Sequence, residues 1–307
     1  MTIPYVTDID PEYGKVVEVS PSVRRVIANN PGRFTFTGTG TYIIGRGQVA
    51  VIDPGPENDD HVAAILAGLP GEEISHIVIT HTHKDHSPAS RALQTATGAP
   101  IYGFGRHPVL PEEDVLRSKP TTWDILLPTP EELEELKKSM AFPSDDENEH
   151  EQDEPGDMAF NPDVEIGHGD LIKGGTWTLE AVHTPGHISN HLCFGFKEEK
   201  SLFSGDHVMG WSTSVIPSPE GAMGEYMDSL YLLLDRNDEF FYPTHGPRIP
   251  EPISFTRSLI SHRQDREQQI LNCLSEGPMA IPDLVMKMYV DTPHILYMAA
   301  GQSVYSH

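Results

Sequence analysis

Three imidazoles and a carboxylate crowd into six residues, His81-Thr82-His83-Lys84-Asp85-His86, in the spacing H-x-H-x-D-H. Neutral imidazole and carboxylate are the donors that zinc and similar divalent ions take. So dense a run is hard to explain as core packing, and it reads as a metal-binding loop. Three further metal-capable side chains, His183, Asp206 and His245, stand at the ends of apolar segments much later in the chain.

The elements that must position these residues are legible around them. Ile74 to Thr80 reads as a buried strand, and Ser87-Pro88-Ala89-Ser90-Arg91-Ala92-Leu93 opens like a helix, with Ser87 as its cap and Pro88 in its first turn. The loop therefore lies between strand and helix at the end of a sheet, where α/β proteins place chemistry. Thr41 to Gly45 and Gln48 to Asp53 read as two strands joined by a tight Gly45-Arg46-Gly47 turn, followed by a short helix from His61 to Leu69. Pro100-Ile101-Tyr102-Gly103 is another strand. Strand-like sequence resumes at Asp163 to Ile166 and continues through Trp177–His183, His191–Phe196, Ser201–Asp206 and Phe240–Gly246.

Between about 110 and 163 the composition changes. Ser144 to Glu154 holds almost no apolar residue and reads as a solvated acidic insertion. The net charge of −25 is partly local to that stretch. A uniformly acidic surface opposes a large nucleic-acid footprint, although dications at a site would change the field there. The two cysteines, Cys193 and Cys273, form no CxxC pattern, and Cys193 reads as a buried structural thiol. No leader sequence or apolar run of membrane length is visible, which gives the expectation of a cytoplasmic protein with no membrane partner. From about Pro252 the chain reads as three short helices, similar to a helix-turn-helix core, ending where a wing hairpin would begin. A packing or homodimerisation appendage fits better than a DNA reader, because the third helix carries no Arg or Lys.

The ordered set His81, His83, Asp85, His86, His183, Asp206 and His245 resembles the metallo-β-lactamase superfamily. Supporting it are Thr80-His81-Thr82-His83-Lys84-Asp85-His86, His183-Thr184-Pro185-Gly186-His187, Ser204-Gly205-Asp206 and Pro243-Thr244-His245-Gly246. Asp53, in Val51-Ile52-Asp53-Pro54-Gly55, looks like the family's structural acid. The resemblance implies an α/β fold, an αββα four-layer sandwich over residues 1–251, with a small helical, winged-helix-like domain at 252–307. It implies two divalent ions, zinc first, with manganese or iron as the other candidates. His81, His83 and His183 would hold one, Asp85, His86 and His245 the other, and Asp206 would bridge them. Two such ions about 3.5 Å apart share a hydroxide of near-neutral pKa, so no protein nucleophile is needed. Asp85 is also a candidate proton acceptor during turnover. His187, Trp211 and Tyr226 are candidates for substrate contact.

Within the superfamily the resemblance is strongest to the lactamase-beta-like protein 2 group, through Ser261 to Ile270 and through Gly205-Asp206-His207-Val208-Met209-Gly210 with Tyr226 to Leu230. That group includes an endoribonuclease acting on single-stranded RNA. Glyoxalase II is a further relative, but a glutathione-binding basic cluster is not visible in this chain. The expected activity is hydrolysis of an ester, thioester, lactone or amide-type small molecule. A metal-dependent endoribonuclease is the alternative, and a non-catalytic DNA- or partner-binding regulator is the reading from another class.

Overall fold

A computed structural model describes residues 3–111, 125–127, 129, 131, 156–290 and 292–307. Two mixed β-sheets face each other. The first contains, in spatial order, β1 (Val17–Ser20), β2 (Val23–Ile27), β3 (Gly40–Ile44), β4 (Gln48–Ile52), β5 (Glu73–Val78), β6 (Ile101–Gly103) and β7 (Val164–Glu165). The second runs in the spatial order β12 (Phe240–Pro243), β11 (Ser201–Gly205), β10 (Leu192–Phe196), β9 (Thr178–His183), β8 (Leu171–Lys173). Strands β1 to β4 pair antiparallel and β4 to β7 parallel. In the second sheet only β11 and β12 pair parallel.

The strand sequences explain the layering. Buried on both faces, a strand needs apolar residues at every position rather than at alternate ones. In β3 and β4, Tyr42, Ile44, Ala50 and Ile52 meet Leu179, Phe194, Phe203 and Tyr242 of the opposite sheet. Their neighbours Ile43, Val49 and Val51 turn outward onto α1 (Asp59–Ala67) and α2 (Ser90–Thr97), through Val62, Ile65 and Leu93. In the second sheet, Val182, Cys193, Leu202 and Phe241 meet α3 (Met223–Leu234) and α4 (Pro252–Leu274), through Leu230, Leu233, Phe255 and Leu259. The result is the expected αββα sandwich, and Cys193 is a buried thiol between sheet and helices.

Some local expectations change. Helix α2 begins at Ser90 rather than Ser87, because the Ser87 hydroxyl is engaged by Asp157 at 3.0 Å instead of capping a helix. Strands β1, β2 and β8 are short and carry charged residues, and the hydrophobic pattern did not predict them.

The C-terminal segment is helical, with α4 followed by α5 (Ile281–Met288) and α6 (Tyr297–Ser306). Helix α4 belongs to two cores. Phe255 and Leu259 pack on the sandwich, while Ile270 and Cys273 join Leu284, Val285, Ala300 and Val304 in a separate cluster. Among the described residues after 252 there is no strand, so the wing of a winged helix is not seen. Most of the acidic insertion lies outside the described residues. Two of its described residues are docked: Leu126 is buried in the helical cluster, and Gly156 forms a β-bridge to His83. No described helix is long and apolar enough to cross a membrane.

Candidate metal centre

Each candidate donor sits where a strand gives way to a turn. Beyond β5, Ile79-Thr80 leads into the H-x-H-x-D-H segment; β11 hands on to Asp206, and β12 to Thr244 and His245. The loop between β9 and β10 turns at Gly186 and carries His187. Gly186 makes that turn possible: its φ is +131°, and a Cβ there would lie 2.3 Å from the backbone of Tyr226.

Two clusters result. His81 Nε2 and His187 Nε2 each lie 3.0 Å from His83 Nδ1. In the second, His245 Nε2 is 3.0 Å from Asp85 Oδ2 and 3.4 Å from Asp206 Oδ1. His86 Nε2 is 3.3 and 3.6 Å from the same two oxygens. The other Asp206 oxygen, Oδ2, lies 3.9 Å from His187 Nε2, so one carboxylate faces both clusters.

The sequence expectation for His183 is corrected here. It lies outside both clusters, and His187 takes the place beside His81 and His83. The period-two alternation of β9 puts His183 on the same face as Leu179 and Ala181. At that end of the inter-sheet layer its ring stacks on Phe104, centroids 4.4 Å apart, and its Nε2 meets the Ser189 carbonyl at 2.9 Å. Tyr226 is also corrected: it is fully buried in the α3 layer against His207, so substrate cannot reach it. Trp211 stacks on Phe36 at 4.7 Å and packs behind the Gly246 turn.

The outer nitrogens of the five clustered histidines test whether a cation fits. His81 Nδ1 faces the Thr80 hydroxyl at 3.0 Å; that hydroxyl donates to Asp53, so it must accept from His81. His86 Nδ1 faces Asp53 Oδ2 at 2.9 Å, and His83 Nε2 faces Glu220 Oε2 at 3.2 Å. His187 Nδ1 faces the Val215 carbonyl at 2.5 Å, and His245 Nδ1 the Gly38 carbonyl at 3.3 Å. All five partners are acceptors, so each ring carries a proton on its outer nitrogen and, when neutral, turns its inner lone pair toward the cluster. His86 Nε2, His245 Nε2 and Asp206 Oδ1 are buried without a hydrogen-bond partner. Converging, unpartnered donor atoms of this kind fit divalent cations.

Asp53 organises the second cluster. Fully buried at φ +49°, a left-handed conformation that Asp tolerates better than most residues, it accepts from Thr80 N, Thr80 Oγ1, Thr244 Oγ1 and His86 Nδ1. Two supporting residues, Glu220 and Asp157, carried no sequence signal, whereas His191 at the start of a strand reads from the sequence as structural. Glu220 lies in a Gly- and Pro-rich stretch without periodicity. His191 Nε2 accepts from the Asp206 backbone N–H at 3.2 Å. Asp157, at the end of the acidic run, accepts from Ser87 and Arg91, and its N–H donates to the Thr82 carbonyl.

The electrostatics of the clusters differ. Burial, reinforced by neighbouring imidazoles, pushes His81 well below the usual histidine range and His187 down to about 4. Burial opposes charge on His86 and His245 too. There, however, Asp85 and Asp206 prevail, raising His86 well above its ordinary value and His245 to about 10. Burial would raise Asp85 and Asp206, but His86 and His245 hold both below the carboxylate range. Glu220 is held down to about 2 against burial by His107 and His83.

Two sheets sandwiched by helices, with imidazole and carboxylate donors gathered at one edge, define an αββα sandwich with a candidate dinuclear metal centre. The model of the metallo-beta-lactamase superfamily matches residues 35–245, and the chain belongs to that superfamily. Its members commonly hold two divalent ions, and the two clusters are the candidate sites. The chain is similar to a beta-lactamase-like protein 2 homolog of Drosophila melanogaster, 29% identical over 306 residues, 95% of this chain and 88% of that one. It is 27% identical over 297 residues to an atrochrysone carboxyl ACP thioesterase of Claviceps purpurea, covering 92% of this chain and 77% of that protein. Among solved structures, a beta-lactamase domain protein from Burkholderia ambifaria superposes with a TM-score of 0.72 at 18% identity, over 99% of this chain and 90% of that one. That likeness concerns the fold alone.

Proposed function

We propose that the chain is a dinuclear-metal hydrolase of acyl substrates, with a thioester as the first candidate among ester, thioester, lactone and amide-type bonds. The observation that carries this is Asp206, whose two carboxylate oxygens face two separate donor clusters. His81, His83 and His187 would hold one ion, Asp85, His86 and His245 the other, and Asp206 would bridge them. When bound, such ions supply an activated water and polarise the carbonyl under attack. The chain's own residues do the positioning. Asp53 and Glu220 fix the rings of His86 and His83, and His191 holds the backbone of Asp206. Asp85, its side chain 25% accessible, would accept a proton during turnover as well as help hold an ion.

The thioester preference is supported by the fungal relative named as an acyl-carrier thioesterase and aligned over most of this chain. The test is a panel of an acyl thioester, an ester, a lactone, a β-lactam and single-stranded RNA, run on chelator-stripped protein before and after adding zinc, manganese or iron. Thioester turnover restored by one of these metals is the expected result. Turnover of RNA alone, falling steeply with salt, would replace this reading with the endoribonuclease. Metal-independent turnover would remove the centre from the mechanism.

A further inference from the structure

The side of His83 turned away from His81 and His187 is met by a carboxylate from a distant segment. Glu220 Oε2 lies 3.2 Å from His83 Nε2, and Oε1 lies 3.6 Å from His107 Nε2. The tautomer of His107 follows from its neighbours. The Thr82 hydroxyl accepts from Asn190 Nδ2 at 2.7 Å and meets His107 Nδ1 at 2.8 Å; the Glu220 carboxylate on the far side of the ring favours the proton on Nε2, with the hydroxyl donating to Nδ1. His107 Nε2–H is thereby left pointing at Glu220. The His107 ring is itself backed by Gly156, where a Cβ would come within 1.9 Å of it.

Glu220 belongs to the connection from β11 to α3, which begins at the bridging Asp206. The same connection presents the Val215 carbonyl to His187. Two of the three histidines of the first cluster therefore depend on this one segment for their orientation. The C-terminal helices hold the segment in turn. Arg263 of α4, buried at 4% exposure, donates to the Ser214 carbonyl, and Ser306 of α6 donates to the Ile216 carbonyl.

We propose that Glu220 is a positioning residue of the first metal half-site: it fixes His83 with the proton on Nε2, so that Nδ1 faces the ion. This rests on the reading that His81, His83 and His187 hold a metal. Glu220 touches no reacting atom; it acts through His83. Outer partners of metal-bound histidines typically account for 10–100-fold in affinity. The connection that carries Glu220 ties the C-terminal helices to the first half-site.

The test uses the metal-stripped full chain, titrated with Co²⁺ and followed by visible absorption, together with ¹⁵N-histidine NMR of the metal-free protein. Glu220→Met keeps the length and removes the acceptor, whereas Glu220→Gln keeps an acceptor oxygen. Expected for E220M is a roughly 10–100-fold loss of Co²⁺ affinity at the first half-site, with the second half-site unchanged, and a His83 that loses its fixed Nε2–H tautomer. E220Q should recover most of the affinity, and its His83 Nε2–H should shift because an amide accepts more weakly than a carboxylate. Unchanged Co²⁺ affinity in E220M, or an equal loss at both half-sites, overturns the proposal. If E220M does not fold, an unshifted His83 signal in E220Q overturns it. Wild-type protein that takes up no Co²⁺ would instead sink the metal centre itself, while the His83 tautomer would still report whether Glu220 fixes the ring.

Discussion

In one half of the centre three imidazoles converge; in the other, two imidazoles face two carboxylates, with Asp53 behind. Burial holds His81 and His187 neutral, so their lone pairs are available without displacing a proton. The second half already balances its charge with protons, because His86 and His245 are raised by the acids they face. An ion entering the first half mainly fills a space; an ion entering the second must also displace protons. Donor atoms at similar separations thus make two sites of different character, and Asp206 links them.

Removing that link should have the largest effect. Asp206→Ala should lower metal-dependent turnover by more than about a hundredfold, beyond the cost of a lost outer partner, and weaken both half-sites in a two-step metal titration. Loss confined to one half would mean that Asp206 does not bridge. His187→Ala should next abolish the first half alone, measured as one bound equivalent instead of two. Asp53→Asn should act on the other half. Its amide NH₂ would face some of the four donors that now meet the carboxylate, and affinity there should fall about 10–100-fold.

Proton release sharpens the contrast further. Calorimetry in buffers of different ionisation enthalpy should show about two protons leaving on filling the second half near pH 7, and fewer on filling the first. The same shifts set the stability of the metal-free protein. His245 is raised from 6.5 to about 10, so its contribution is complete below pH 6.5 and is lost as pH rises toward 10. Thermal unfolding of stripped protein should therefore show a falling midpoint over that window, and saturating metal should flatten the fall. The smallest effect belongs to His183→Ala. It should keep both metal equivalents and cost about 1 kcal/mol of stability through the lost stacking on Phe104; loss of an equivalent would return His183 to the centre.

The same two halves show how far the sequence was legible. His81, His83, Asp85 and His86 announce themselves by density, and Asp206 and His245 by standing at strand ends. Strand ends also misled, because His183 ends β9 on the inter-sheet face while the donor lies four residues on, beyond the Gly186 turn. Continuous apolar runs gave the central strands, since burial on both faces leaves that pattern, and the family resemblance gave the sandwich. Glu220, His107 and Asp157 were not legible. Each acts on a residue remote in the chain, and only the folded backbone brings them together; Glu220 and His83 are 137 positions apart.

The hydrogen bond from Thr244 to Asp53 also spans 191 positions. A contact of that separation closes late, after the entropy of a long loop has been overcome. As the chain emerges from synthesis, the H-x-H-x-D-H run is therefore exposed well before Asp206 and His245 exist to complete the second half. Metal captured at that stage would find an incomplete set of donors. If the clusters hold ions as proposed, loading must follow the docking of the two sheets, so the order of assembly, as well as affinity, would decide which ions the finished protein carries.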